Sequence, residues 1–171
     1  MDIKVIDNFA DIETQLKIIK NLQNEYLYSY NSSSVSPWIK KTKGVVDYPQ
    51  FTRIIFEGKS FYMDTIFFPL VYHLMHINKL SNYFIHRIKI NMNCPYPNNK
   101  KENYGPIHHD LTIPSTDYPE AKEAVSIIYY INNTDGDTVF FNKKLKEIKR
   151  VSPRQGRAVI FNSTMNHAGS C

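Results

Sequence analysis

The sequence predicts an α+β domain, with an antiparallel sandwich or jelly roll packed against N-terminal helices. Three observations predict it. Apolar residues recur at spacings of three and four in two segments of the N-terminal half. Short strand-like runs follow in close order through the C-terminal half. Clusters of Asn, Asp, Gly, Ser and Pro separate those runs, such as Asn132-Asn133-Thr134-Asp135-Gly136 and Ser152-Pro153-Arg154-Gln155-Gly156. Helices first and many short strands afterwards imply layered helices and sheets rather than alternating βαβ units.

In chain order, Ile3 to Ile6 is a short apolar strand candidate. Asp7 or Asn8 can cap a helix over about residues 9 to 24, with Phe9, Ile12, Leu16, Ile19 and Leu22 as its core-facing stripe. A loop rich in Ser and Asn, Tyr30 to Pro37, leads into Trp38 and the run Lys40-Lys41-Thr42-Lys43. Phe51 to Phe56 reads as a strand. A second helix is expected from about Tyr62 to Lys79, striped by Ile66, Leu70, Leu74 and Ile77, and Pro69 inside it implies a kink or an earlier break. His73 and His76 lie three apart on it with no carboxylate at matching spacing, which reads as a pair of ordinary half-buried histidines.

Ile85 to Asn93 alternates, with Ile88, Ile90 and Met92 against Lys89, Asn91 and Asn93. Cys94 to Gly105 is crowded with turn formers. It and Tyr30 to Lys43 are long and polar, the properties of candidate lids. Strand candidates then follow at Ile107 to Thr112, Val125 to Ile131, Thr138 to Phe141, Lys146 to Val151 and Arg157 to Phe161. No internal repeat is visible.

A chain of 171 residues suits one domain, residues 1–171, with a helical support region over 1–82 and a sheet core over 83–171. Tyr (12) and Phe (10) far outnumber Trp (1), a bias that favours strands. The net charge of +5 is spread along the chain, so its lysines read as a solvated face and argue against a nucleic-acid partner. Cys94 and Cys171 give neither a disulfide framework nor a zinc spacing. The start lacks a basic segment followed by an apolar run, and no apolar stretch reaches the roughly 18 residues a bilayer span requires. The expectation is a soluble, cytoplasmic protein without a membrane partner; the oligomeric state stays open.

The chemistry centres on Pro106-Ile107-His108-His109-Asp110, read together with Asn166-His167-Ala168. In an extended strand residues i and i+2 share a face, about 6.6 Å apart. His108 and Asp110 could thus aim an imidazole and a carboxylate at one point, while His109 would face away. His167 could complete the set. Two imidazoles and one carboxylate leave metal positions open, the arrangement of non-haem Fe(II) oxygenases.

From about Ile85 onward the chain resembles the Fe(II)/2-oxoglutarate dioxygenases, in particular the prolyl-hydroxylase-like branch with its short viral and bacterial relatives. The matching segments stand in family order: Arg87-Ile88-Lys89-Ile90-Asn91, His108-x-Asp110, Val125 to Asn132, Asp135 to Phe140, Pro153 to Phe161, and His167-Ala168-Gly169. The resemblance implies a double-stranded β-helix with Fe(II) held by His108, Asp110 and His167. It implies 2-oxoglutarate and O2 as cosubstrates and ascorbate as a candidate reductant. It also implies that Tyr130 and Tyr96, the latter in Tyr96-Pro97-Asn98, grip the 2-oxoglutarate carboxylate.

One departure is visible. The family places an Arg or Lys on the strand after the distal His, to pair with the far carboxylate of 2-oxoglutarate. Here the sequence ends four residues after His167. That suggests a C-terminally truncated copy, or one completed by another chain; Arg157 is the nearest substitute cation. The expected activity is hydroxylation of a C–H bond on a protein or peptide side chain, proline first. The rivals are a catalytically inactive jelly-roll module that binds metal or a partner, and an oxygenase directed at nucleic acid.

Overall fold

The computed structural model describes residues 2–24, 28–31, 49–58, 60–61, 67–77, 79–94, 104–111 and 123–170. Within them the order is β1 (Lys4–Ile6), α1 (Ile12–Asn24), β2 (Ser29–Asn31), β3 (Gln50–Glu57), β4 (Ser60–Phe61), α2 (Phe67–Ile77) and β5 (Arg87–Asn93). There follow β6 (Val125–Tyr129), β7 (Thr138–Phe141), β8 (Glu147–Val151), β9 (Ala158–Asn162) and β10 (Asn166–Gly169). Most of the Lys40–Lys43 surroundings and of both candidate lids, Tyr96, Thr112 and Cys171 lie outside the described residues.

The cap of α1 is Asp11, not Asp7 or Asn8. Its carboxylate accepts from the Thr14 backbone N–H at 2.8 Å and from the Thr14 hydroxyl at 3.1 Å, the side-chain substitute for a missing helical acceptor. Asp7 is engaged elsewhere, and Asn8 adopts φ 50° in the left-handed region. The buried face is also rotated from the expected stripe. Ile18 is fully buried and Gln15 is buried, whereas Ile12 and Leu16 are exposed. Gln15 earns that place by hydrogen bonding: its amide donates to the Ala10 carbonyl at 2.8 Å and accepts from Gln155 at 3.1 Å. It lies over Gly156, where a Cβ would stand 2.5 Å from Gln15 Nε2.

Among the described residues α2 runs from Phe67 to Ile77 and includes Pro69; Tyr62 to Ile66 of the expected helix lie outside them. Leu70 is buried but Ile77 is exposed. His73 and His76 are exposed rather than half-buried.

Among the described residues all strand pairing is antiparallel and falls into three sheets: β1-β9-β6, β10-β7-β8, and β2-β3-β4 with β5 on the other side of β3. The first two sheets face each other. Val159 and Phe161 of β9 meet Phe140 of β7 and Val151 of β8, with Ile128 and Tyr130 packed alongside. On the opposite face of β9, Ala158 joins Phe9, Ala10, Ile18, Ile55, Phe67, Leu70 and Ile90. With both faces covered, Ala158 to Phe161 are all buried, which is why that segment reads as a continuous apolar run rather than an alternation. β7 is covered twice for the same reason, with Val139 and Phe141 packed outward against Ala168, Tyr104 and Ile107.

β2, β4 and β10 are strands the sequence pattern does not announce. β10 (Asn-His-Ala-Gly) has poor strand propensity, but it is held on both edges. β7 pairs it from Phe141↔Asn166 to Thr138↔Gly169, and on the other side lie the bridges Tyr104↔Ser170 and His108↔His167.

Candidate metal centre

Backbone pairing brings the two histidines together. His108 N–H donates to His167 O at 3.0 Å, and His167 N–H returns the bond to His108 O at 2.8 Å. This closely spaced antiparallel pair sets the rings side by side, with centroids 4.4 Å apart. His167 Nε2 lies 3.8 Å from Asp110 Oδ1. One potential ligand atom from each of His108, Asp110 and His167 lies within 4.8 Å of the others. His109 is exposed.

The ring nitrogens are sorted by their surroundings. His108 Nδ1 is 3.0 Å from Pro106 O, and His167 Nδ1 is 3.0 Å from Met165 O. A carbonyl only accepts, so each Nδ1 carries the proton and each Nε2 keeps its lone pair for a ligand. Burial, with the neighbouring His108 imidazole, holds the His167 pKa below the usual histidine value, although the Asp110 carboxylate opposes this. The neutral, metal-binding form is the one this site favours. Phe161 packs against the His167 ring at 4.9 Å and Phe140 at 6.1 Å, fixing its plane.

Asp110 is placed differently from the extended-strand expectation. Residues 107–111 form no strand ladder beyond the His108 bridge, and Asp110 sits in a bend. Its backbone N–H donates to Ser163 O at 2.9 Å, which turns the chain across the end of β9. Its Oδ2 accepts from the Ser126 hydroxyl at 2.5 Å, and Ser126 Oγ lies 2.8 Å from Ser163 Oγ. Sequence reasoning missed Ser126 and Ser163. The available signal was a lone hydroxyl on the inward face of an otherwise apolar strand.

Tyr130, just past β6, points between the facing sheets, and its hydroxyl donates to Thr138 Oγ1 at 2.6 Å. Burial pushes its pKa up to about 12, so it stays a neutral donor. Thr138 is two residues along β7 from Phe140, whose partner in β10 is His167. Tyr130 therefore lies on the same inner surface as the histidine. Arg157 is committed to structure: its guanidinium donates to both Asp7 carboxylate oxygens, at 2.5 and 3.0 Å, and to Ser152 O at 2.8 Å. Lys89 on β5 has its pKa lowered by burial, while the Asp110 carboxylate pulls the other way.

Residues 94–170 match the profile of the 2OG-Fe(II) oxygenase superfamily. This segment, just under half of the chain, is similar to the 2OG-Fe(II) oxygenase domains. The whole chain also superposes on a Pseudomonas putida prolyl-4-hydroxylase crystal structure, with TM-score 0.55 and 13% identity over 99% of this chain and 84% of that one. At that identity the likeness is one of fold, and it makes the sheet-rich oxygenase fold a jelly roll of the prolyl-hydroxylase type. Among curated proteins none matches.

The donor set of this cluster fits Fe(II), the ion of that superfamily. Two imidazole nitrogens with assigned tautomers and one carboxylate oxygen lie within 4.8 Å of one another, the ligand types of a two-histidine, one-carboxylate iron site. Among the described residues no helix is long and apolar enough to cross a membrane.

Proposed function

We propose that this protein is an Fe(II)- and 2-oxoglutarate-dependent dioxygenase that hydroxylates a C–H bond of a protein or peptide side chain, proline first. The observation that carries the reading is the convergence of His108, Asp110 and His167 within 4.8 Å, inside a segment of the oxygenase superfamily. The prolyl-4-hydroxylase likeness supports the substrate class through the fold. In this reading residues 1–171 act as one domain, with 83–171 as the catalytic jelly roll and the helices of 1–82 as its support.

His108, Asp110 and His167 would hold Fe(II), which with 2-oxoglutarate and O2 supplies the oxidation. The chain's own residues do the positioning. Pro106 O and Met165 O keep both imidazoles in the ligating tautomer. Phe140 and Phe161 wall off the buried side of His167, excluding water there. Tyr130 is the candidate to donate a hydrogen bond to the 2-oxoglutarate carboxylate, exchanging its Thr138 partner for the cosubstrate. Tyr96 has the same proposed role.

The test is turnover. Purified protein with Fe(II), ascorbate and 2-oxoglutarate is expected to release succinate faster with proline-rich peptides than without them. The peptide should gain the mass of one oxygen at proline. Succinate release with no peptide dependence would remove the proline assignment, and no succinate under any condition would overturn the dioxygenase reading.

A further inference from the structure

Ser126 and Ser163 do work that the ligand set alone does not reveal. Ser126 belongs to β6 and Ser163 to the turn between β9 and β10, so each reaches Asp110 from a different part of the fold. Ser163 is 3% exposed. Its backbone is fixed at both ends: its N–H donates to Ala124 O at 2.9 Å, and its carbonyl accepts from Asp110 N–H at 2.9 Å and Leu111 N–H at 3.3 Å. A hydroxyl has one proton to give. Ser126 gives its proton to Asp110 Oδ2, so the proton in the Ser126–Ser163 contact must come from Ser163. The chain Ser163→Ser126→Asp110 therefore has one direction and ends on one oxygen of one carboxylate.

We infer that this two-serine relay is the positioning device of the metal centre: it occupies Asp110 Oδ2 and presents Oδ1 alone as the ligand. The inference rests on the metal-centre reading above. The geometry agrees, because Oδ1 is the oxygen 3.8 Å from His167 Nε2, while Oδ2 is turned to Ser126. A carboxylate free to rotate could chelate the ion with both oxygens and consume a position that cosubstrate or O2 needs. A hydroxyl donor prevents this without neutralising the carboxylate, as a cation would. Ser126 and Ser163 are positioning residues that act through Asp110.

The experiment measures metal binding rather than turnover. Co(II), a spectroscopically visible stand-in for Fe(II), is titrated into wild-type protein and into the Ser126→Ala and Ser126→Thr variants. Affinity and the visible d–d spectrum are recorded. Ser126→Ala should bind about 10- to 100-fold more weakly, the range for loss of a partner behind a metal ligand. Its spectrum should change, because Asp110 can now chelate. Ser126→Thr keeps the hydroxyl and should restore both affinity and spectrum. Should Ser126→Ala fail to fold, Ser126→Thr and Ser126→Val make the same comparison, being alike in shape and differing in the hydroxyl. Wild-type affinity and spectrum in the hydroxyl-free variant would overturn the relay alone, as would equal weakening by Thr. No Co(II) binding by the wild type would overturn the metal centre and the relay with it.

Discussion

Asp7 and Asp110 each accept a hydrogen bond of 2.5 Å, yet one is closed to further chemistry and the other is held open for it. Asp7 meets a guanidinium, and both of its oxygens are taken by Arg157. That bidentate pairing compensates the carboxylate charge and ties the β1–α1 corner to the turn before β9. Asp110 meets a neutral hydroxyl on one oxygen and keeps its other oxygen 3.8 Å from an imidazole. The two settings separate a structural carboxylate from a candidate ligand. The partner's charge and the number of oxygens it occupies decide, more than the length of the bond.

The comparison is broken most severely at Asp110. Asp110→Asn keeps an oxygen for Ser126 and nearly the same shape but removes the charge. It should cost more than the roughly 100-fold at the upper end of outer-shell losses while leaving the melting temperature of the metal-free protein nearly unchanged. Metal titration beside thermal melts reads both. A variant that unfolds instead would place Asp110 with the structural carboxylates.

On the Asp7 side the expected pattern is reversed. Gly156 has φ 75° and accepts from Phe9 N–H at 2.7 Å, and an added Cβ would meet Gln15 at 2.5 Å. Gly156→Ala should therefore destabilise the fold by about 1–3 kcal/mol, the usual cost of such backbone strain. Metal affinity of the folded fraction should be unaltered. Denaturant melts and a metal titration of one preparation separate the two quantities.

The smallest effect belongs to Asp7→Asn. The Arg157 hydrogen bond holds the Asp7 pKa below its ordinary 3.8. Its stabilising contribution is thus present above that value and lost as the pH falls through the lowered one. The variant should melt slightly below wild type near neutrality. The gap should shrink with added salt and close in strong acid. A gap that widens in acid would contradict the assignment.

Legibility in the sequence followed the number of faces each segment buries. Thr138 to Phe141 and the Val125 and Arg157 runs are packed between layers, and their β-branched and aromatic residues state as much. α1 was legible as a helix but not in its orientation, because the buried Gln15 is justified by Ala10 O, Gln155 and a glycine across the chain, none of them local. The His-x-Asp spacing picked out the candidate ligands for a reason that only half applies. His108 is indeed in a strand-like bridge, whereas Asp110 is aimed by a bend bonded to Ser163. The two serines carried no pattern, since a single hydroxyl in a strand looks like any other until its partner 37 residues away is known. Arg157 was legible as a cation, but its commitment to Asp7, 150 residues earlier, was not.

In the proposed function His108, Asp110 and His167 hold Fe(II) with room for 2-oxoglutarate. Anaerobic titration with Fe(II) and then 2-oxoglutarate tests it most directly, through the visible metal-to-ligand charge-transfer band of the chelate. A band is expected in the wild type and absent from His108→Ala and His167→Ala. An unchanged band in either variant, or no iron bound by the wild type, would contradict it.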